Sequence, residues 1–302
     1  MAFCGLSFTK GMDVNMIIQL LLSGISMGMI YALMAMGLIL IVKAVGVLNF
    51  AHGELFMLGA YITYMLTVQM GLPLIPMLIC GLILFAFVGL MFMFSVYWPL
   101  RNASWPVTIT ISTLGASMVL KELARFIWGP FPLKAKPIIS GALSFGKITL
   151  EYQYLFIIGV SMLLILVVFV LFEKLYIGKI MQAAAQDRYA AELMGIPIVV
   201  TIAATFMIST CLSGIGGWLS APLFLVSQSL GSMALKAFAG IVVGGFGNIT
   251  GAVIGSILIG LVESYSSLFT SVYRDAVVFL VLIIVLLVRP QGLLGERISE
   301  KA

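Results

Sequence analysis

Between Val14 and Val42 no residue carries a charge. A membrane-spanning helix needs about 20 predominantly apolar residues, so this run alone is long enough to cross a bilayer with tilt. It is not isolated. The 302 residues are 62% hydrophobic and only 9% charged, with a mean hydropathy of +1.21, whereas soluble domains average about a quarter charged residues. The chain therefore reads as one all-α, polytopic membrane domain over residues 1–302, with about eight to ten spanning windows depending on where the glycine-rich ones are cut. The run after Lys10 is too long for a signal peptide and lacks a small-residue cleavage site, so it is expected to be the first spanning helix.

The polar residues are then the informative ones. The net charge is +5, but the Lys and Arg residues stand singly between apolar runs and act as topology signals, which points away from nucleic acid or an acidic substrate. Cys4, Cys80 and Cys211 form no CxxC pair and indicate neither a disulfide framework nor a metal site. Gly141 to Lys147 (GALSFGK) matches a phosphate-binding loop through its Lys, but the next residue is Ile148, so the magnesium-binding hydroxyl is missing and no buried strand is expected before it. His52 is the sole histidine. No metal, cofactor or catalytic group is indicated, and no engine for ATP hydrolysis.

Along the chain, Gly24 and Gly28 form a GxxxG that allows close approach of another helix. Val47 to Glu54 (VLNFAHGE) places Asn49, His52, Gly53 and Glu54 within an apolar neighbourhood. Backbone that breaks at membrane depth survives only against protein or a water-filled cavity, so Asn49, His52 and Glu54 are candidates for a pathway wall or gate, or else cap a broken helix. Leu55–Met70 and Met77–Trp98 are apolar again; Trp105–Leu120 is mixed, with Thr108, Thr110, Ser112 and Thr113; Phe126–Glu151 is expected to be the long non-membrane loop. Ile198–Val226 should span. In Leu235–Gly260, Gly240 and Gly244, then Gly247, Gly251 and Gly255, recur at four-residue spacing and predict close helix packing around a break near Asn248. Lys236 and Glu263 sit at the ends of these apolar pieces and are further pathway candidates. Ala276–Val288 is the last span.

The longest polar helical segment is Gly178–Pro197, GKIMQAAAQDRYAAELMGIP. Its alanines favour helix, Gly178 and Gly195 bracket it, and Gln182, Gln186, Asp187, Arg188 and Glu192 forbid it the hydrocarbon, so it is expected to lie in water at a membrane face. The Arg289–Ala302 tail reads as cytoplasmic. If the polar helix shares that side, an even number of crossings separates them: Ile198–Trp218, Ala234–Phe246, Ala252–Tyr265 and Ala276–Val288, two of them short enough to be tilted, extended by flanking residues, or re-entrant. The side of the N-terminus stays open. The breaks in VLNFAHGE and VVGGFGNITG are the kind a pseudo-symmetric transporter shows.

LNFAHGELFMLGAY (Leu48–Tyr61), GKIMQAAAQDRYAAELMGI (Gly178–Ile196), LKAFAGIVVGGFGNITGAVIGSILIGLVES (Leu235–Ser264) and VRPQGLLG (Val288–Gly295) together resemble the H-type permease subunit of bacterial ABC importers for branched-chain amino acids. That resemblance implies a type II importer architecture in the inner membrane, a second related permease, two cytoplasmic ATPases and an extracytoplasmic substrate-binding protein. It also implies an ATPase-coupling helix comprising Gly178, Ala184, Ala185, Asp187, Arg188, Ala191, Gly195 and Ile196. The sequence departs from the family at Gln182, where Arg is common, and at Met181. Permeases for urea and short-chain amides look similar. An ion-coupled secondary transporter would want paired intramembrane carboxylates, for which Glu54 and Glu263 are the available candidates; a membrane enzyme would want a nucleophile with a base, which is lacking.

Overall fold

One helix is the axis of the molecule. In the computed structural model, which describes residues 14–103, 105–139, 141–145, 148–268 and 273–295, α1 (Val14–Val45) is buried at every residue from Ser26 to Ile41. A helix apolar on all faces can be enclosed by protein as readily as by lipid, and here α5 (Tyr152–Glu173), α8 (Ile198–Ser220), α9 (Met233–Gly244) and α10 (Ile249–Ser266) enclose it. The closest of these contacts is built on glycine. Gly24 lies against Leu261 and Ser264, Gly28 against Ile257, and Gly260 returns the approach from α10. A Cβ on Gly28 would stand 2.6 Å from the Ile257 Cα, so any side chain there forces the two backbones apart.

The remaining elements complete a bundle. α2 (His52–Tyr64) runs on into a π-helical turn, Met65–Gln69, and α3 (Leu74–Phe92) into Met93–Tyr97. α4 (Pro106–Trp128) leads to an antiparallel hairpin of β1 (Ala142–Phe145) and β2 (Ile148–Glu151), paired Ala142 to Glu151. α6 (Tyr176–Gln186) and α7 (Arg188–Leu193) join α5 to α8, and α11 (Arg274–Val288) closes the chain. Among the described residues six helices, α1, α3, α4, α5, α8 and α10, are long and apolar enough to cross a membrane. The shorter α2, α9 and α11 account for the larger number of windows expected from sequence.

The bundle has two distinct ends. Lys43 of α1, Glu173 of α5, Asn248 between α9 and α10, and Pro290 after α11 line one groove of about 670 Å³, and Arg188 of α7 donates to the Ala44 carbonyl. The polar helices and the tail therefore share an end. The hairpin, the Leu133–Val226 bridge and the last turn of α10 lie at the other.

Several expected boundaries are corrected. The segment Gly178–Pro197 is two helices, not one: Asp187 is extended (φ −146°, ψ 104°), and its carboxylate accepts from the Ala190 N–H at 3.0 Å, so the residue ends α6 and caps α7. At the far end Gly195 has φ 80°, with Gly195 N–H on the Glu192 carbonyl and Ile196 N–H on that of Ala191, a Schellman closure that needs a glycine. The helix expected over Ile198–Val226 stops at Ser220, and Val226 instead bridges to Leu133. Phe126 to Trp128 belong to α4, and the rest of the expected loop holds the hairpin. Gly141 to Phe145 of the phosphate-loop match enters β1, while Gly146 and Lys147, like Cys4 and the chain beyond Gly295, lie outside the described residues.

Candidate functional site

The first broken segment is a re-entry into the bundle. α1 closes with Gly46 at φ 72°, and Val47–Ala51 then double back so that α2 begins beside Met34, about 16 Å short of the end of α1 at 1.5 Å per residue. The three candidates here have three different environments. Asn49 is buried, and its Oδ1 accepts from the Ala51 N–H at 3.0 Å, which turns the chain into α2. The Phe50 N–H is taken by Thr113 Oγ1 of α4. His52 is fully enclosed, with Nε2 3.1 Å from the Met34 carbonyl and 2.6 Å from Ser213 Oγ. Through these two contacts the ring ties α1, α2 and α8 together. Glu54 alone is partly open. It faces Ser117 and Lys121 of α4 and lies beside Gly231.

The segment that meets VLNFAHGE is the 3-10 turn Gln228–Ser232 leading into α9, with Gly53 packed on the Gly231 backbone. VVGGFGNITG lies at the end bearing α6 and α7. There Gly240 and Gly244 of α9 pack on Ser256 and Gly251 of α10, and Gly255 returns against Gly240 and Gly244. Gly247 has open space around it and packs no helix; with φ 96° it makes the turn that lets the glycine pairs face each other, while Asn248 caps α10 through Gly251 N–H.

Lys236 and Glu263, two of the pathway candidates, form one ion pair. Lys236 Nζ is 2.6 Å from Glu263 Oε1 and 2.8 Å from Asp275 Oδ1, and Tyr31 donates to Glu263 Oε2 at 2.6 Å. The two side chains are 12% and 7% exposed, so the pair is nearly dry and ties α1, α9, α10 and α11 at the end opposite α6 and α7. Removing Lys236 leaves the Glu263 carboxylate as an uncompensated buried charge, whereas without Glu263 the Lys236 ammonium still has Asp275.

The coupling candidates divide by face. Gly178 fits against Leu171 and Phe172 at the end of α5, and Met181, Ala184 and Ala191 are buried; Ala185 and Ile196 are half-buried. These residues seat the polar helices on the bundle. Asp187, Arg188 and Gly195 are exposed, together with three large apolar side chains that the sequence reading passed over, Tyr189 (74%), Leu193 (72%) and Met194 (83%). The spacing Tyr189, Leu193 marks one face of a helix and carried the signal. Gln182 donates to the Phe172 carbonyl at 2.7 Å, so the residue that departs from the family pattern makes an internal contact. Among the described residues no group of His, Cys, Asp and Glu could hold a metal ion.

A family model described as the permease component of branched-chain amino acid transport systems matches residues 20–286. The high-affinity branched-chain amino acid transport system permease protein LivH of Escherichia coli (strain K12) is 31% identical over 306 residues, covering 94% of this chain and 97% of that protein. The corresponding permease protein BraD of Pseudomonas aeruginosa is 31% identical with the same coverage. Among solved structures, PsaBC from Streptococcus pneumoniae in complex with Fab aligns over 91% of both chains at 14% identity and a TM-score of 0.49.

Proposed function

The chain belongs to the permease-component family of branched-chain amino acid transport systems, and from that we propose that it is the membrane-spanning subunit of an ATP-driven importer for leucine, isoleucine and valine. It is a multi-pass inner-membrane transport subunit, not an enzyme. The observation that carries the substrate class is the 31% identity, spread over 94% of the chain, to permeases of high-affinity branched-chain systems. The matching relatives do not favour urea or short amides.

In this reading a second permease, two cytoplasmic ATPases and an extracytoplasmic binding protein complete the machine. Closure of the ATPases bears on the exposed Tyr189, Leu193 and Met194. The inward-facing Gly178, Met181, Ala184 and Ala191 make α6 and α7 move with α5 and α8 instead of sliding over them, because a packed surface transmits displacement as a rigid element. The test is uptake by proteoliposomes holding this chain with its cognate permease, ATPases and binding protein. Leucine should accumulate only with internal ATP and external binding protein. A binding protein that takes urea and ignores leucine would overturn the substrate class.

A further inference from the structure

α4 is the least enclosed of the six spans, yet it is also the least apolar. Thr108 and Ser112 lie on one side of the helix. Thr110, Ser117, Lys121 and Arg125 recur at helical spacing along another edge, with Leu114 between the first two. Taking Ser117 as the midpoint of Pro106–Trp128, Lys121 lies about 6 Å from the centre of the helix, inside a hydrocarbon layer about 30 Å thick. Arg125 and its ion-pair partner Glu122 have side chains 49% and 61% exposed. Charges at such depth face protein or water, not lipid tails, and this bundle does not cover them.

The adjoining surface is polar as well. Glu54 reaches the edge from the start of α2, facing Ser117 and Lys121 and lying against Gly231. Gln228 accepts from Arg125 Nη2 through Oε1 at 3.1 Å, while its amide Nε2 is buried with no partner. Two carboxylates, Glu54 and the Arg125-paired Glu122, two cations and an unspent amide donor thus border the place where α2 and the Gln228–Ser232 turn meet. Such a surface complements a ligand that carries an ammonium and a carboxylate together.

We propose that this edge of α4, with Glu54 and Gln228, is the wall of the substrate pathway and the surface that reads the zwitterion of an α-amino acid. Glu54 takes the ammonium; Lys121 and Arg125 take the carboxylate. The substrate class rests on the function proposed above, whereas the water-lined wall rests on α4 alone.

The experiment uses the assembled transporter with its native cysteines replaced. Leu114→Cys on the polar edge should react with a charged thiol reagent at least tenfold faster than Val119→Cys, which lies at similar depth on the opposite, exposed face. Millimolar leucine should slow reaction at 114 at least threefold. Isoamylamine, which lacks the carboxylate, and 4-methylpentanoate, which lacks the ammonium, should not. Should Leu114→Cys fail to assemble, Thr110→Cys reports on the same edge. Lys121→Gln should lower leucine uptake at least tenfold, with Lys121→Arg keeping most of it. Equal reactivity at 114 and 119, or equal protection by isoamylamine, overturns the proposal. The 114 to 119 contrast is read without any amino acid, so it separates failure of the wall from failure of the substrate class, which would show as absent uptake by the unsubstituted complex.

Discussion

Lys236 and Glu263 meet across the sharp turn at Gly245–Asn248, which brings side chains far apart in sequence to 2.6 Å. Sequence marks both residues as costly at the ends of apolar runs, but their pairing depends on where α9 stops and how α10 returns, and glycine spacing alone does not fix that angle. The consequence is measurable. Lys236→Met strands the Glu263 carboxylate against Tyr31 in a nearly dry site, and breaking such a pair costs about 3–5 kcal/mol. The melting temperature of the purified complex should fall accordingly. Adding Glu263→Gln removes the orphaned charge and should restore most of the loss; a double variant as unstable as the single would show that the ion pair is not what holds α9 to α10. His52 gives a second case. His52→Ala leaves the Met34 carbonyl and the Ser213 hydroxyl without their shared partner, for a loss of about 2 kcal/mol by the same thermal measurement.

The helix pair α6 and α7 separates what a sequence discloses at the level of an element from what it withholds. That Gly178–Pro197 is helical, polar and outside the hydrocarbon follows from its residues. Which alanines point outward does not, because burial of Ala184 and Ala191 is decided by α1, α5 and α8, packed beneath them from distant stretches of chain. The two faces therefore make opposite predictions. Ala184→Arg puts a long cation into a site 4% exposed and should reduce the yield of folded protein. Leu193→Arg, on the open face, should leave folding intact and abolish co-purification of the ATPase subunits. The kink is a smaller matter: Asp187→Ala removes the α7 cap, at about 1 kcal/mol. If Ala184→Arg folds normally and loses the ATPases while Leu193→Arg keeps them, the assignment of faces is inverted.

Across the whole molecule, the fold class was plain from uncharged runs such as Val14–Val42, but the central position of α1 was not, because a helix apolar all round looks the same whether lipid or protein surrounds it. A lysine-rich loop before α5 on the outer side runs against the tendency of Lys and Arg to gather in the cytoplasm, but the two ends differ in where their charges lie. Lys43, Arg101, Lys174 and Arg289 flank spans at the end bearing α6 and α7, where Lys179 and Arg188 also lie, against Arg125 and Arg274 at the other end, where Lys134 and Lys136 lie in the connection between α4 and the hairpin. Orientation follows the charges flanking spans more than those within long connections, which predicts the first set in the cytoplasm. Between α7 and the tail the chain crosses through α8, α9, α10 and α11, returning to the side it left. Cysteine placed at exposed Ile139 should accordingly be labelled by an impermeant reagent on intact cells, and cysteine at Tyr189 only after the membrane is opened. The reverse pattern would put Tyr189, Leu193 and Met194 outside the cell, beyond reach of any ATPase, and with that the transmission of force through α6 and α7 would have no source.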